Sequence, residues 1–112
     1  MKLLATVLVL LVLAAMPAAA GTEAPAATVK VQSSRFGPIL FDGRGFVLYA
    51  FTRDPRGASK CAGACAAAWP PYRARGTLQA GKGTRASLIG RTRSGQVTYA
   101  GRPLYYLSLI HI

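Results

Sequence analysis

The first clear alternation of apolar and polar side chains begins at Val29. Val29 and Val31 alternate with Lys30 and Gln32, which predicts a half-buried strand. Gly37-Pro38 punctuates the chain, and Ile39-Leu40-Phe41 then forms a short apolar run. Asp42-Gly43-Arg44-Gly45 reads as a turn, since these residue types tolerate positive φ or bond the backbone through an Asx side chain. Phe46 to Phe51 is rich in aromatic and β-branched residues, so the two apolar runs around D-G-R-G predict a β-hairpin.

Thr52 to Lys60 is a polar loop broken by Asp54-Pro55 and Gly57. Ser59 is placed to cap a short helix over roughly Cys61 to Ala68, a stretch that is mostly Ala. Trp69-Pro70-Pro71 ends it, because the residue before a proline is pushed out of the helical region. Tyr72 to Arg85, with Gly76, Gly81 and Gly83, reads as irregular. Three more short strands are predicted at 87–91, 96–99 and 103–107, with turns at Ser94-Gly95 and Ala100-Gly101. A weak internal echo runs through this pattern. Gly43-Arg44 precedes Leu48-Tyr49, and Gly101-Arg102 precedes Leu104-Tyr105. The expected fold is therefore mostly β: a small single domain of antiparallel β-hairpin repeats, sandwich or barrel-like, with one short helix around the cysteine pair.

The N-terminus changes the setting. Lys2 precedes an apolar run from Leu3 to Met16, Pro17 breaks it, and Ala18-Ala19-Ala20 offers small residues before a cut. This is the pattern of a signal peptide over 1–20, cleaved near Ala20. The run is shorter than the roughly 20 residues needed to span a bilayer. No transmembrane segment is expected after cleavage, and the protein is placed as secreted or periplasmic. Residues 21–28 read as a flexible leader and 29–107 as the folded domain. The atypical end at 108–112 reads as a foreign tail on a shortened gene.

Charge is the strongest bulk property. The chain carries 14 Lys and Arg against 3 acidic residues, a net +11. The arginines are spread along the chain, mostly in predicted turns. In an exported protein this favours an anionic envelope component as partner, either lipid headgroups or polysaccharide. Nucleic acid is not expected, because the protein is exported and its aromatics do not interleave with the arginines.

Three ordered blocks carry a family resemblance. The first is Tyr49-Ala50-Phe51-Thr52-Arg53-Asp54 and the second joins Cys61-Ala62-Gly63-Ala64-Cys65-Ala66 to Trp69-Pro70-Pro71. The third is Gln96-Val97-Thr98-Tyr99-Ala100-Gly101-Arg102-Pro103-Leu104-Tyr105. With its Y-x-[FWY]-x-x-D motif the chain resembles a secreted-repeat, lipoprotein-type family of the bacterial envelope. The resemblance covers roughly Phe36 to Tyr106 and implies an envelope protein without an assigned activity. Lipid attachment does not carry over, because no Cys lies near the expected cleavage point. A second copy of the motif starting at Tyr105 would need an aromatic at 107 and an acid at 110, where Leu107 and Ile110 stand.

The residues that carry chemistry are few. Cys61 and Cys65, four apart with Gly63 between them, suit a structural disulfide in an oxidising compartment. The pair closes a very short loop, worth about 2 kcal/mol of chain entropy. A redox-active pair is the alternative, although the spacing is not C-x-x-C. A metal centre has too few ligands, and no cofactor is expected. In a strand Tyr49 and Phe51 share a face. Either both rings fill the core while Asp54 caps the next loop, or Tyr49 and Asp54 supply polar groups to a ligand pocket. Trp69-Pro70-Pro71 reads as a core plug and rigid corner. No nucleophile elbow, phosphate loop or Ser-His-Asp set occurs, so an enzyme is not expected. The reading that remains is an envelope binding or structural module. The runner-up is an extracytoplasmic redox or metal-handling accessory protein using Cys61 and Cys65.

Overall fold

A computed structural model describes residues 27–108. The expected signal peptide, most of the leader and residues 109–112 lie outside the described residues. Strands β1 (Ala27–Ser34), β2 (Gly37–Asp42) and β3 (Leu78–Ala80) form one sheet in the order β2-β1-β3. β1 and β2 are antiparallel, in register from Val29↔Asp42 to Ser34↔Gly37. β3 lies parallel to β1, from Ala27↔Leu78 to Val29↔Ala80. Strands β4 (Ile89–Arg91), β5 (Val97–Tyr99) and β6 (Arg102–Pro103) form an antiparallel sheet in the order β4-β5-β6. A five-residue helix, α1 (Ala64–Ala68), follows the first cysteine, and a 3-10 turn at Ala86–Leu88 leads into β4.

The mostly β reading holds, with one short helix beside the cysteine pair. Several details differ from it. β1 starts at Ala27, inside the stretch read as leader. β2 pairs along its whole length with β1, and with 46–51 only next to the turn, at Phe41↔Val47. The D-G-R-G turn does close: Asp42 N–H donates to the Phe46 carbonyl at 2.8 Å and Leu48 N–H to that of Leu40 at 2.9 Å. Beyond Leu48 the chain leaves β2, and Tyr49 pairs with Tyr105 instead, so 46–51 holds only isolated bridges.

The helix begins at Ala64 because Gly63, with φ of 57°, precedes it as N-cap; Ser59 is not its cap. The region 72–85 contains β3. Its glycines mask the strand, yet they allow the close approach that follows it. A Cβ on Gly81 would lie 2.6 Å from the Lys30 Cβ, and one on Gly83 would lie 2.8 Å from the Val31 Cβ. The predicted strand at 87–91 opens as a 3-10 turn. That at 103–107 shrinks to the end of β6 and a bridge at Tyr105.

The core gathers Val29, Leu48, Tyr72, Val97 and Leu104. Both leucines of the internal echo are in it. Each closes its own hairpin, Leu48 N–H to the Leu40 carbonyl and Leu104 N–H to the Val97 carbonyl, both at 2.9 Å. The tyrosines that follow are the antiparallel pair, with N–H···O bonds of 2.9 and 2.8 Å between Tyr49 and Tyr105. Pairing a position with its own counterpart puts a local two-fold relation between the hairpins. Backbone alternation then sends Leu inward and Tyr to the opposite face. Gln96, 2% exposed, is satisfied by donating from Nε2 to the Leu104 carbonyl at 2.8 Å. Among the described residues no helix is long and apolar enough to cross a membrane.

Candidate functional site

Behind the paired tyrosines lies an aromatic joint. Trp69, at the end of α1, meets the rings of Tyr49 and Phe51 edge-on, each at 5.2 Å between centroids. Phe51 also packs on Tyr105 at 4.5 Å. Tyr49 and Phe51 thus share a partner, as strand alternation implies, but they do not fill the core. Tyr49 is 37% exposed, whereas Tyr105 is 1% exposed. Pro70 accepts the Tyr106 N–H at 2.8 Å and Pro71 bridges to Tyr105, so the W-P-P corner clamps the second hairpin from its other edge.

The polar groups of the joint satisfy one another. Asp54 accepts the Lys60 N–H at 2.9 Å, which caps the 54–60 loop, and also accepts the Tyr105 hydroxyl. Ser59 Oγ donates to that same hydroxyl at 2.5 Å and accepts the Cys61 N–H at 3.0 Å. A relay therefore runs from carboxylate to disulfide loop. Burial raises the Tyr105 pKa, and the bond to Asp54 raises it further. Cys61 and Cys65 form a disulfide with Cα atoms 5.2 Å apart. It lines a cleft of about 590 Å³ with Phe51, Trp69, Arg53 and Lys60, where Cys65 is exposed.

The other motif residues are not brought to this joint. Tyr99 accepts the Arg85 N–H through its hydroxyl, at 3.2 Å. Gly101 occupies the β5–β6 turn, Pro103 is buried in β6 and Leu104 belongs to the core.

A second cleft, of about 820 Å³, was not anticipated from the sequence. Arg44, Arg73 and Arg75 line it, with Asp42, Tyr72 and Tyr106 among the other walls. Asp42 is 2% exposed. It accepts the N–H groups of Arg44 and Phe46, both at 2.9 Å, the Tyr106 hydroxyl at 2.6 Å, and the Arg44 guanidinium at 3.4 Å. Burial pushes its carboxyl up, but the Tyr106 bond, the two amides and the Arg44 charge together hold it below the ordinary carboxylate range. Burial raises Tyr106, and the Asp42 bond adds to that rise. Tyr72, raised by burial and by the Asp42 charge, donates its hydroxyl to the carbonyl of Thr28, another wall residue, at 3.0 Å. The sequence signal for Asp42 was its Asx-turn setting. Nothing foretold that Tyr106 would reach it. Among the described residues no group of three or more His, Cys, Asp or Glu comes together.

These features define a small disulfide-bearing β domain, two hairpins joined at an aromatic seam. Residues 30–72 match the model of a family described as a secreted repeat of unknown function. The match spans Tyr49, Phe51, Asp54, both cysteines and the W-P-P corner. No curated protein and no solved structure matches the chain.

Proposed function

We propose that the protein is an exported, non-catalytic binding module of the cell envelope whose cationic surface engages an anionic envelope component. One observation carries this reading. Of the chain's 3 acidic residues, Asp42 and Asp54 are both turned into internal hydrogen bonds. Among the described residues the single side-chain ion pair is Arg44 with Asp42. No other described cation forms an ion pair with a described carboxylate. Several brace backbone carbonyls instead, as Arg56 does at Ala100 and Arg73 at Ser94. Such a surface attracts polyanions at low ionic strength. The leader-like N-terminus and the description of the matching family as secreted both support export.

The test compares retention on phosphatidylglycerol vesicles, an acidic polysaccharide and neutral phosphatidylcholine vesicles. The reading expects retention on one of the anionic probes, indifferent to reductant, and none on the neutral lipid. Equal retention on all three would overturn it. A second reading, a redox or metal-handling accessory protein, has the exposure of Cys65 in its favour. Under it, Cys65→Ser changes partner capture. If the bridge is structural, the same change lowers stability by about 2 kcal/mol and leaves capture intact.

A further inference from the structure

We infer that the cleft between the 42–46 turn and the 71–76 segment is the module's anion site, and that Arg44, Arg73 and Arg75 receive a phosphate group there. This rests on the binding reading above and gives it a place on the molecule. Arg73 and Arg75, two residues apart, both belong to the wall of the cleft. Arg91 grips the same segment: its Nε donates to the Ala74 carbonyl at 3.1 Å, and its terminal nitrogen donates to that of Gly76. The backbone is thereby held on both sides of Arg75. Arg73 spends one nitrogen on the Ser94 carbonyl at 2.8 Å, which fixes the side chain and leaves the rest of the fork. Arg44 is set from the opposite wall, its guanidinium 4.8 Å above the Phe46 ring and 3.4 Å from Asp42. Arg75 is exposed, and among the described residues nothing pairs with its guanidinium.

The carboxylate in the same cleft does not cancel this set. Asp42 is met by two amides, one phenol and Arg44, so an entering anion meets three guanidiniums against one saturated acid. Forked donors around a shared space suit a tetrahedral oxyanion, which accepts paired N–H bonds from more than one side. The Tyr72 hydroxyl donates to the Thr28 carbonyl and the Tyr106 hydroxyl to Asp42, both in the wall of the same cleft, so the two rings offer apolar surface to the carbon-bearing part of the ligand. The recess beside Arg56 and Arg102 is smaller, at about 370 Å³, and Arg56 is committed to the Ala100 carbonyl.

The experiment measures affinity for phosphatidylglycerol vesicles and for soluble polyphosphate at low salt. It compares Arg75→Glu with two charge-matched controls, Lys82→Glu and Arg35→Glu. Arg35 lies on the β1–β2 loop, at the opposite end of β2 from Asp42. Arg75→Glu is expected to weaken binding at least about tenfold more than either control, with an unchanged melting temperature. Arg75→Lys keeps the charge but loses the fork, and about threefold weakening is expected. Binding of both probes assigns recognition to phosphate itself; binding of vesicles alone assigns it to the lipid headgroup. Both outcomes support the cleft if Arg75→Glu is selective. Equal losses in all three Glu variants, a loss confined to Arg35→Glu, or no effect of Arg75→Lys would overturn the site while leaving the binding reading intact. Failure of the unaltered protein to bind any anionic probe, acidic polysaccharide included, would remove that reading too.

Discussion

The two hairpins of this domain share a Gly-Arg turn and a Leu-Tyr strand, yet they are held by different chemistry. In the first, a buried acid builds the turn: Asp42 collects two backbone amides and the Tyr106 hydroxyl from the second half. In the second, the turn is made by backbone alone. Ala100 and Gly101 both have positive φ, 52° and 79°, the pattern of a two-residue primed turn. Arg56 from the long loop lies over it, donating to the Ala100 carbonyl. The tyrosines differ in the same sense. Tyr105 is buried and bonded to Asp54 and Ser59, while Tyr49 rests on Trp69 and its hydroxyl bonds no other side chain or backbone group among the described residues. Asp42 and Asp54 thus both lie on the first half, and each fastens a tyrosine of the second. Equivalent positions in a repeated unit carry unequal loads once a fold has two copies to divide them between.

The largest break in that pairing comes from Asp42→Ala. Two amides and a phenol lose their acceptor in a buried place, so a loss of about 3 kcal/mol is expected in urea denaturation. A loss under about 1 kcal/mol would show that the turn does not depend on the acid. Next comes the contrast between the paired tyrosines. Tyr105→Phe removes the link between Asp54 and Ser59 and should cost about 1–2 kcal/mol, while Tyr49→Phe should cost under about 0.5 kcal/mol. Equal effects would refute the asymmetry.

The pH profile sharpens the same point. Asp42 ionises more readily folded than unfolded, so its stabilisation is complete above about pH 4 and disappears as pH falls through its lower folded-state value. Tyr72, Tyr105 and Tyr106 are raised, so their contribution is complete below about pH 10 and is lost as pH rises through the folded-state values. Thermal melts should show a plateau between those limits, and in Asp42→Ala the acid limb should flatten. The smallest effect is at the second turn. Ala100→Gly relieves a left-handed alanine but loosens the unfolded chain, for a net gain of about 0.5 kcal/mol.

What the sequence made legible was local. Val29 and Val31 alternate as a strand because one face of β1 meets the core, and D-G-R-G closes because Asp and Gly suit such a turn. The cysteine pair was readable from its spacing. The pairing of strands was not. That β2 pairs fully with β1 and only briefly, at Phe41, with Val47 is decided by contacts across the fold, and the glycines at 81 and 83 resemble loop until β1 is seen pressed against them. The arginine cleft was hidden for the same reason. Arg44 and Arg75 are far apart in sequence, and long-range contacts bring their segments together, β3 on β1 and the Tyr72 hydroxyl on Thr28.

Asp42 and Asp54 are consumed by internal hydrogen bonds, while arginines such as Arg75 are left outside. The most direct test of that division is the affinity of the intact chain for phosphatidylglycerol vesicles as sodium chloride rises from about 50 mM to about 500 mM. Screening of an exposed cationic face predicts a fall of more than about tenfold across that range. Affinity that stays level over the same interval would contradict it.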